Sequence, residues 1–305
     1  MRKPIVQAVK WLWVACVVAA AAAIVFRSRD DIVVMLRQIS WTWLSASVLL
    51  TMAAKFFLGE NARIAAVRSG VRIDFVESFR LYNLSQLGKY LPGSVWQFVG
   101  RAAAYRNLGA EYGAIRDALL CESLWIVAGA FATGVLLVGG AVWPILAGSL
   151  SPFVAWWLGI GALIGLLLMV VAAIWKRSLL VRYAFLAKPP LRAVLAQAFI
   201  WVSLGLAFWL LARACGLTVG PAFAIGLFAL GYAVGFLVPI APAGLGIRDA
   251  VLTLGLMPYL PPGEALAVTV MARLVYLFVD LLLGLGQAPL IAALRRLRTA
   301  PAAPE

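Results

Sequence analysis

The sequence predicts an all-α, polytopic membrane protein, on three observations. Of its 305 residues 64% are apolar and only 12% charged, with a mean hydropathy of +0.99. A soluble domain is roughly half apolar and a quarter charged. Runs of roughly twenty apolar residues recur along the chain, the length a helix needs to cross a hydrocarbon core of ~30 Å. Basic residues gather in alternate connections, which is the positive-inside pattern. The formal net charge of +14 is therefore assigned to topology and anionic-leaflet contact, not to nucleic acid. No long hydrophilic stretch is left for an ATPase or nucleotide-binding module. The absence of histidine excludes imidazole-based zinc sites and histidine acid–base catalysis, and no cofactor is expected.

The first span is read from about Ile5 to Phe26, an uncleaved anchor because charged residues Arg27 to Asp31 follow it without a small-residue cleavage site. The others run from about Ile39 to Leu58, Ala118 to Gly140, Pro152 to Trp175, Val194 to Cys215 and Ala265 to Ile291. Tryptophans such as Trp11, Trp41, Trp43, Trp143 and Trp175 cluster at their ends, as interfacial aromatics do. Residues 59–116 hold eight Lys or Arg and 176–192 hold five, whereas 139–151, 214–221 and 256–264 hold none. Six crossings with both termini cytoplasmic, in a bacterial-type inner membrane, satisfy this bias. Cys16, Cys121 and Cys215 lie far apart in apolar runs and form neither a disulfide framework nor a metal set.

Two segments do not fit simple spans. Residues 75–108 are too polar to cross twice, and each part on either side of the Pro92-Gly93 break is shorter than the core at 1.5 Å per residue. With basic residues at both ends, a hairpin that dips in and returns to the cytoplasm fits. Residues 221–257 break at Pro239, Pro242, Gly244 and Gly246, and their flanks fall on the uncharged, outer side. In both segments an arginine, Arg101 or Arg248, follows the first proline by nine residues. Each is preceded by a span and followed by one carrying an ionisable residue, Glu122 or Arg273. The organisation predicted is a single membrane domain over 1–305. It comprises residues 1–38, repeat A (39–140), a connecting span (141–192), repeat B (193–294) of inverted topology, and a cytoplasmic tail (295–305). Broken helices at matching positions of inverted halves point to a midplane binding site. Eight plain crossings are the alternative.

The run Leu87-Gly88-Lys89-Tyr90-Leu91-Pro92-Gly93-Ser94-Val95-Trp96, followed by Gly100-Arg101, and the later Pro242-Ala243-Gly244-Leu245-Gly246-Ile247-Arg248-Asp249-Ala250 resemble the flippase-like family. This is the transmembrane region of lysylphosphatidylglycerol synthases and its stand-alone bacterial and archaeal relatives. The resemblance extends from about residue 10 to 295. Glu122 matches the family's acidic position after the first motif, while Ser94, Gln97 and Ser123 stand where charged groups are common. The resemblance implies a membrane domain that moves amphipathic lipids between leaflets. It does not imply aminoacyl transfer, because the soluble catalytic domain of the synthases has no counterpart here.

The candidate headgroup residues are Lys89, Arg101, Arg248, Glu122, Arg273, Asp280, Asn83, Gln86 and Tyr90. Lys89 adjoins a break, and Arg101 and Arg248 follow the breaks; arginine's planar fork suits phosphate. The plainer reading of the two arginines is snorkelling or capping. Glu122, Arg273 and Asp280 lie inside spans, where a charge costs at least about 2.5–3.5 kcal/mol and so faces protein or water. An interhelical pair such as Glu122 with Arg273 is the structural alternative to a proton or headgroup role. Asn83, Gln86 and Tyr90 form a polar stripe expected to face a cavity, with hydrogen bonding to neighbouring helices as the plainer reading. Lys55 is read as snorkelling; Gly226, Gly231 and Gly235 as close-packing positions. The leading function is a lipid carrier for an anionic, phosphate-bearing headgroup, with membrane lipids as partners. A non-transporting scaffold for envelope-lipid or polysaccharide synthesis, partnered by envelope-biosynthesis enzymes, is the alternative. A membrane transferase ranks last, since no clustered base or metal set is present.

Overall fold

The computed structural model describes Phe26 and residues 29–90, 95–149, 188–237 and 246–286, with no side-chain description for Asp31, 139–149 and Leu237. These residues are helical and contain no strand. Four helices are long and apolar enough to cross a membrane: α2 (Trp41–Arg68), α5 (Tyr112–Ser149), α6 (Leu191–Ala214) and α9 (Pro262–Leu285). They correspond to the second, third, fifth and sixth expected spans. The first and fourth spans, the breaks Pro92, Gly93, Pro239, Pro242 and Gly244, and the tail 295–305 lie outside the described residues. Between the long helices stand α1 (Arg29–Arg37), α3 (Phe75–Gln86), α4 (Trp96–Asn107), α7 (Pro221–Leu237) and α8 (Ile247–Leu256).

Two boundaries differ from expectation. Helix α2 continues ten residues past Leu58 to Arg68, which at 1.5 Å per residue makes it about 42 Å long. The polar residues Glu60, Asn61 and Arg63 ended the apolar run without ending the helix, because a helix leaving the membrane need not stop there. In the first broken segment the α-helix stops at Gln86, and Leu87–Tyr90 tighten into a 3₁₀ turn. Asp74 caps the N-terminus of α3, its side chain accepting from the Glu77 N–H at 2.8 Å. Helices α2 and α6 both end at a glycine in left-handed backbone, Gly70 (φ 95°) and Gly216 (φ 82°). In both, the next residue's N–H bonds back to the helix, Val71 to Ala66 and Leu217 to Ala212, each at 2.9 Å.

The core forms where α2 and α6 lie antiparallel. Ser40 N–H donates to the Ala214 carbonyl, Ser47 Oγ to the Ala207 carbonyl, and Phe57 stacks on Phe199. Small buried residues, among them Ala54, Ala62, Ala193 and Ala207, let the two backbones approach. Helix α7 packs on α5 and α6, and α3 packs on α2 and α9. Each short helix pairs with the next, α3 with α4 and α7 with α8. The pairings depend on glycine. A Cβ on Gly88 would lie 2.7 Å from Trp96 C and Gln97 N at the start of α4, and one on Gly235 would lie 2.9 Å from Arg248 Cβ on α8.

Candidate functional site

Helix α9 carries the residues that organise the interior. Asp280 is fully buried and accepts from Lys55 Nζ of α2 through Oδ1 at 2.5 Å. Its Oδ2 accepts from Lys89 Nζ at 2.5 Å and from the Tyr90 hydroxyl at 2.6 Å. One turn earlier, Tyr276 offers its ring to three cations: Lys55 Nζ at 4.4 Å, Lys89 Nζ at 4.9 Å and Arg248 Cζ at 5.4 Å from the centroid. Lys55 therefore does not snorkel. It is 1% exposed and ion-paired, because an unpaired carboxylate at this depth would be more costly than a lysine drawn inward.

The second centre joins α3, α4 and α5. Arg101 Nη1 donates to Glu122 Oε2, its Nε donates to Ser85 Oγ at 3.2 Å, and its guanidinium lies 4.7 Å from the Tyr82 ring centroid. Arg101 is 2% exposed, so the snorkelling alternative fails for it. Asn83, fully buried, back-bonds through Nδ2 to the Phe79 carbonyl at 2.8 Å, while its Oδ1 finds no partner among the described residues. Gln86 is buried nearby. The stripe thus divides: Tyr90 reaches Asp280, and Asn83 bonds within its own helix.

The third centre corrects a further expectation. Glu122 does not pair with Arg273. Arg273 Nε donates to Asp249 Oδ1 at 2.6 Å, and Asp249 Oδ2 accepts from the Gly246 N–H at 2.9 Å, closing the first turn of α8. Gly246 holds φ 86°, backbone that L-residues rarely adopt. Glu122 and Arg273 each pair with the short helix immediately before them in the chain, whereas Asp280 pairs with α2 and with the 3₁₀ turn. Asp249 and Lys55 are the residues that sequence reasoning missed at the site. Asp249 stood within the second motif, three residues after the glycine that opens α8, which is the capping position for an acid. Lys55 gave no signal beyond its isolation in an apolar run.

Arg248 is the exception in this paired interior. Its guanidinium lies 4.6 Å from the Phe228 ring centroid, and its buried Nε and Nη2 have no hydrogen-bond partner among the described residues. Those two nitrogens form one edge of the fork, the edge that can donate two parallel bonds to one anion. Around it, Asp280, Glu122 and Asp249 are each already held by lysine or arginine. The arrangement can therefore bind an anion without dismantling any ion pair. A small crevice lined by Ser47, Thr51, Phe208, Phe228 and Tyr276 includes the same aromatic pair in its wall. No metal-holding group of acids and cysteines occurs among the described residues.

No curated protein matches the chain. The profile of a family described as the lysylphosphatidylglycerol synthase TM region matches residues 12–284, which takes in both motifs and every helix that builds the three centres. The chain is a multi-pass integral membrane protein, and it belongs to the lysylphosphatidylglycerol synthase TM region family.

Proposed function

We propose that this protein carries an anionic lipid, or a lipid-linked precursor with a phosphate-bearing headgroup, between leaflets without hydrolysing ATP. The observation that carries the reading is Arg248. The residue is half-buried, its Nε and Nη2 are buried without a hydrogen-bond partner among the described residues, and the carboxylates Asp280, Glu122 and Asp249 around it are occupied. A desolvated donor pair left open costs free energy, and an anionic ligand would recover it.

An inverted repeat of span, re-entrant hairpin and span is the architecture proposed with it, with six crossings and cytoplasmic termini. Its support is the correspondence between halves. Helix α2 packs on α3 as α6 packs on α7, α3 meets α9 as α7 meets α5, and α2 and α6 run antiparallel. Gly59 abuts Phe79 where Gly205 abuts Ile225, and Gly134 abuts Leu230 where Gly284 abuts Leu87. Rocking of one half on the other would expose the Arg248 site to each leaflet in turn. Membrane lipids are its partners, and the driver is the lipid's own gradient, the membrane potential or an ion.

The scaffold reading, with envelope-biosynthesis enzymes as partners, draws on one observation, the complete pairing of Asp280, Glu122 and Asp249. The test is reconstitution in vesicles with a fluorescent anionic lipid and quenching of the outer leaflet by an impermeant reductant. Wild-type protein should expose the inner pool, and Arg248→Gln and Lys89→Gln should slow that exposure at least ten-fold. Wild-type rates in both variants would leave the scaffold as the better account.

A further inference from the structure

We infer that the headgroup is a dianion, a phosphomonoester or a diphosphate ending in one, and not a phosphodiester or a zwitterion. The inference rests on the carrier reading and adds the charge and valency of its ligand. Lys55, Lys89 and Arg248 all stand within 5.4 Å of the Tyr276 ring centroid, and the one carboxylate among them is Asp280. That leaves two formal positive charges in excess. Glu122 and Asp249, on the elements packed alongside, are committed to Arg101 and Arg273. Aromatic faces attract cations but do not neutralise them, and a net charge at membrane depth is expensive.

The geometry points the same way. Asp280 is saturated, with Lys55 on one oxygen and Lys89 and Tyr90 on the other. Arg248 can engage two oxygens of an anion through Nε and Nη2. A phosphodiester brings one negative charge and two terminal oxygens, which Arg248 engages. A phosphomonoester brings a second charge and a third terminal oxygen, to which Lys89, an ammonium with three donors, can give a further N–H while keeping its bond to Asp280. Of the two lysines only Lys89 can be reached, its side chain being 14% exposed against 1% for Lys55.

Native mass spectrometry of the full-length protein tests this against phosphatidic acid, phosphatidylglycerol and phosphatidylcholine of identical chains. The titration is run near pH 7, where a phosphomonoester carries about 1.5–2 negative charges. Phosphatidic acid should bind at least ten-fold more tightly than phosphatidylglycerol. Arg248→Gln should weaken both anionic lipids, whereas Lys89→Gln should remove the preference for phosphatidic acid; a cooperative thermal unfolding transition identifies both variants as folded. Equal binding of the two anionic lipids, both weakened by Arg248→Gln, overturns the dianion inference and leaves the carrier reading standing. No anionic lipid binding above phosphatidylcholine overturns both. Displacement of phosphatidic acid by millimolar glycerol 3-phosphate would assign the site to a soluble phosphate and overturn the lipid source.

Discussion

Arg101 and Arg248 each follow a proline by nine residues and lie on a short helix that precedes a long one, and they are held in opposite ways. Arg101 is enclosed, bonded to Glu122 and Ser85 and stacked on Tyr82. Arg248 is stacked on Phe228 and Tyr276 but has an open edge, because the acid beside it, Asp249, is turned to Arg273 and to the Gly246 amide. The polarity of the pairing is reversed between halves. In the first, the short helix supplies the arginine and the span the acid; in the second, the short helix supplies the acid and the span the arginine. That reversal frees one arginine. A guanidinium with a buried carboxylate partner is a structural brace, and one without keeps donors free for the ligand proposed above.

The comparison breaks most visibly at the brace. Removing one partner of a buried pair costs about 3–5 kcal/mol, so Arg101→Met or Glu122→Gln should lower the thermal unfolding temperature sharply. Survival of either variant at wild-type stability would erase the distinction between the two arginines. Asp280→Asn should cost a comparable amount, since it leaves Lys55 and Lys89 facing each other.

The next effect is steric. Gly88→Ala places a Cβ against the backbone of Trp96 and Gln97, an overpacking worth about 1–3 kcal/mol. Gly100→Ala, where a Cβ meets nothing within 4 Å, should stabilise α4 by about 0.5–1 kcal/mol. Opposite shifts in unfolding temperature check the pair. The smallest effect belongs to Arg63→Ala. Its ion pair with Glu60 is 27% and 28% exposed, and such pairs contribute about 0–1 kcal/mol.

Much of this was legible in the sequence, because apolar length reports membrane spans directly and glycine and proline mark helix ends. The two arginines were found from their common distance to a proline. Their difference was not, since it depends on which acid each one meets across a helix interface. Glu122 and Arg273 were the two ionisable groups of corresponding spans, and pairing them was the natural guess. Sequence spacing does not say that each of these two residues pairs with the short helix before it. A further repeat signal was present and passed over. Gly59 and Gly205 are separated by the same distance as Gly70 and Gly216, and both pairs recur as a close contact and a helix end. Lys55 was misjudged because snorkelling assumes a lone charge, and its partner lies far along the chain on α9.

The most direct test of the open arginine is mass spectrometry of the lipids that stay with the purified protein, comparing wild type, Arg248→Gln and Arg63→Ala. One phosphate-bearing lipid enriched over bulk in wild type and Arg63→Ala, and lost in Arg248→Gln, is the result expected of a headgroup site. The same bulk lipids in all three would contradict it and reduce Arg248 to an arginine packed between two rings.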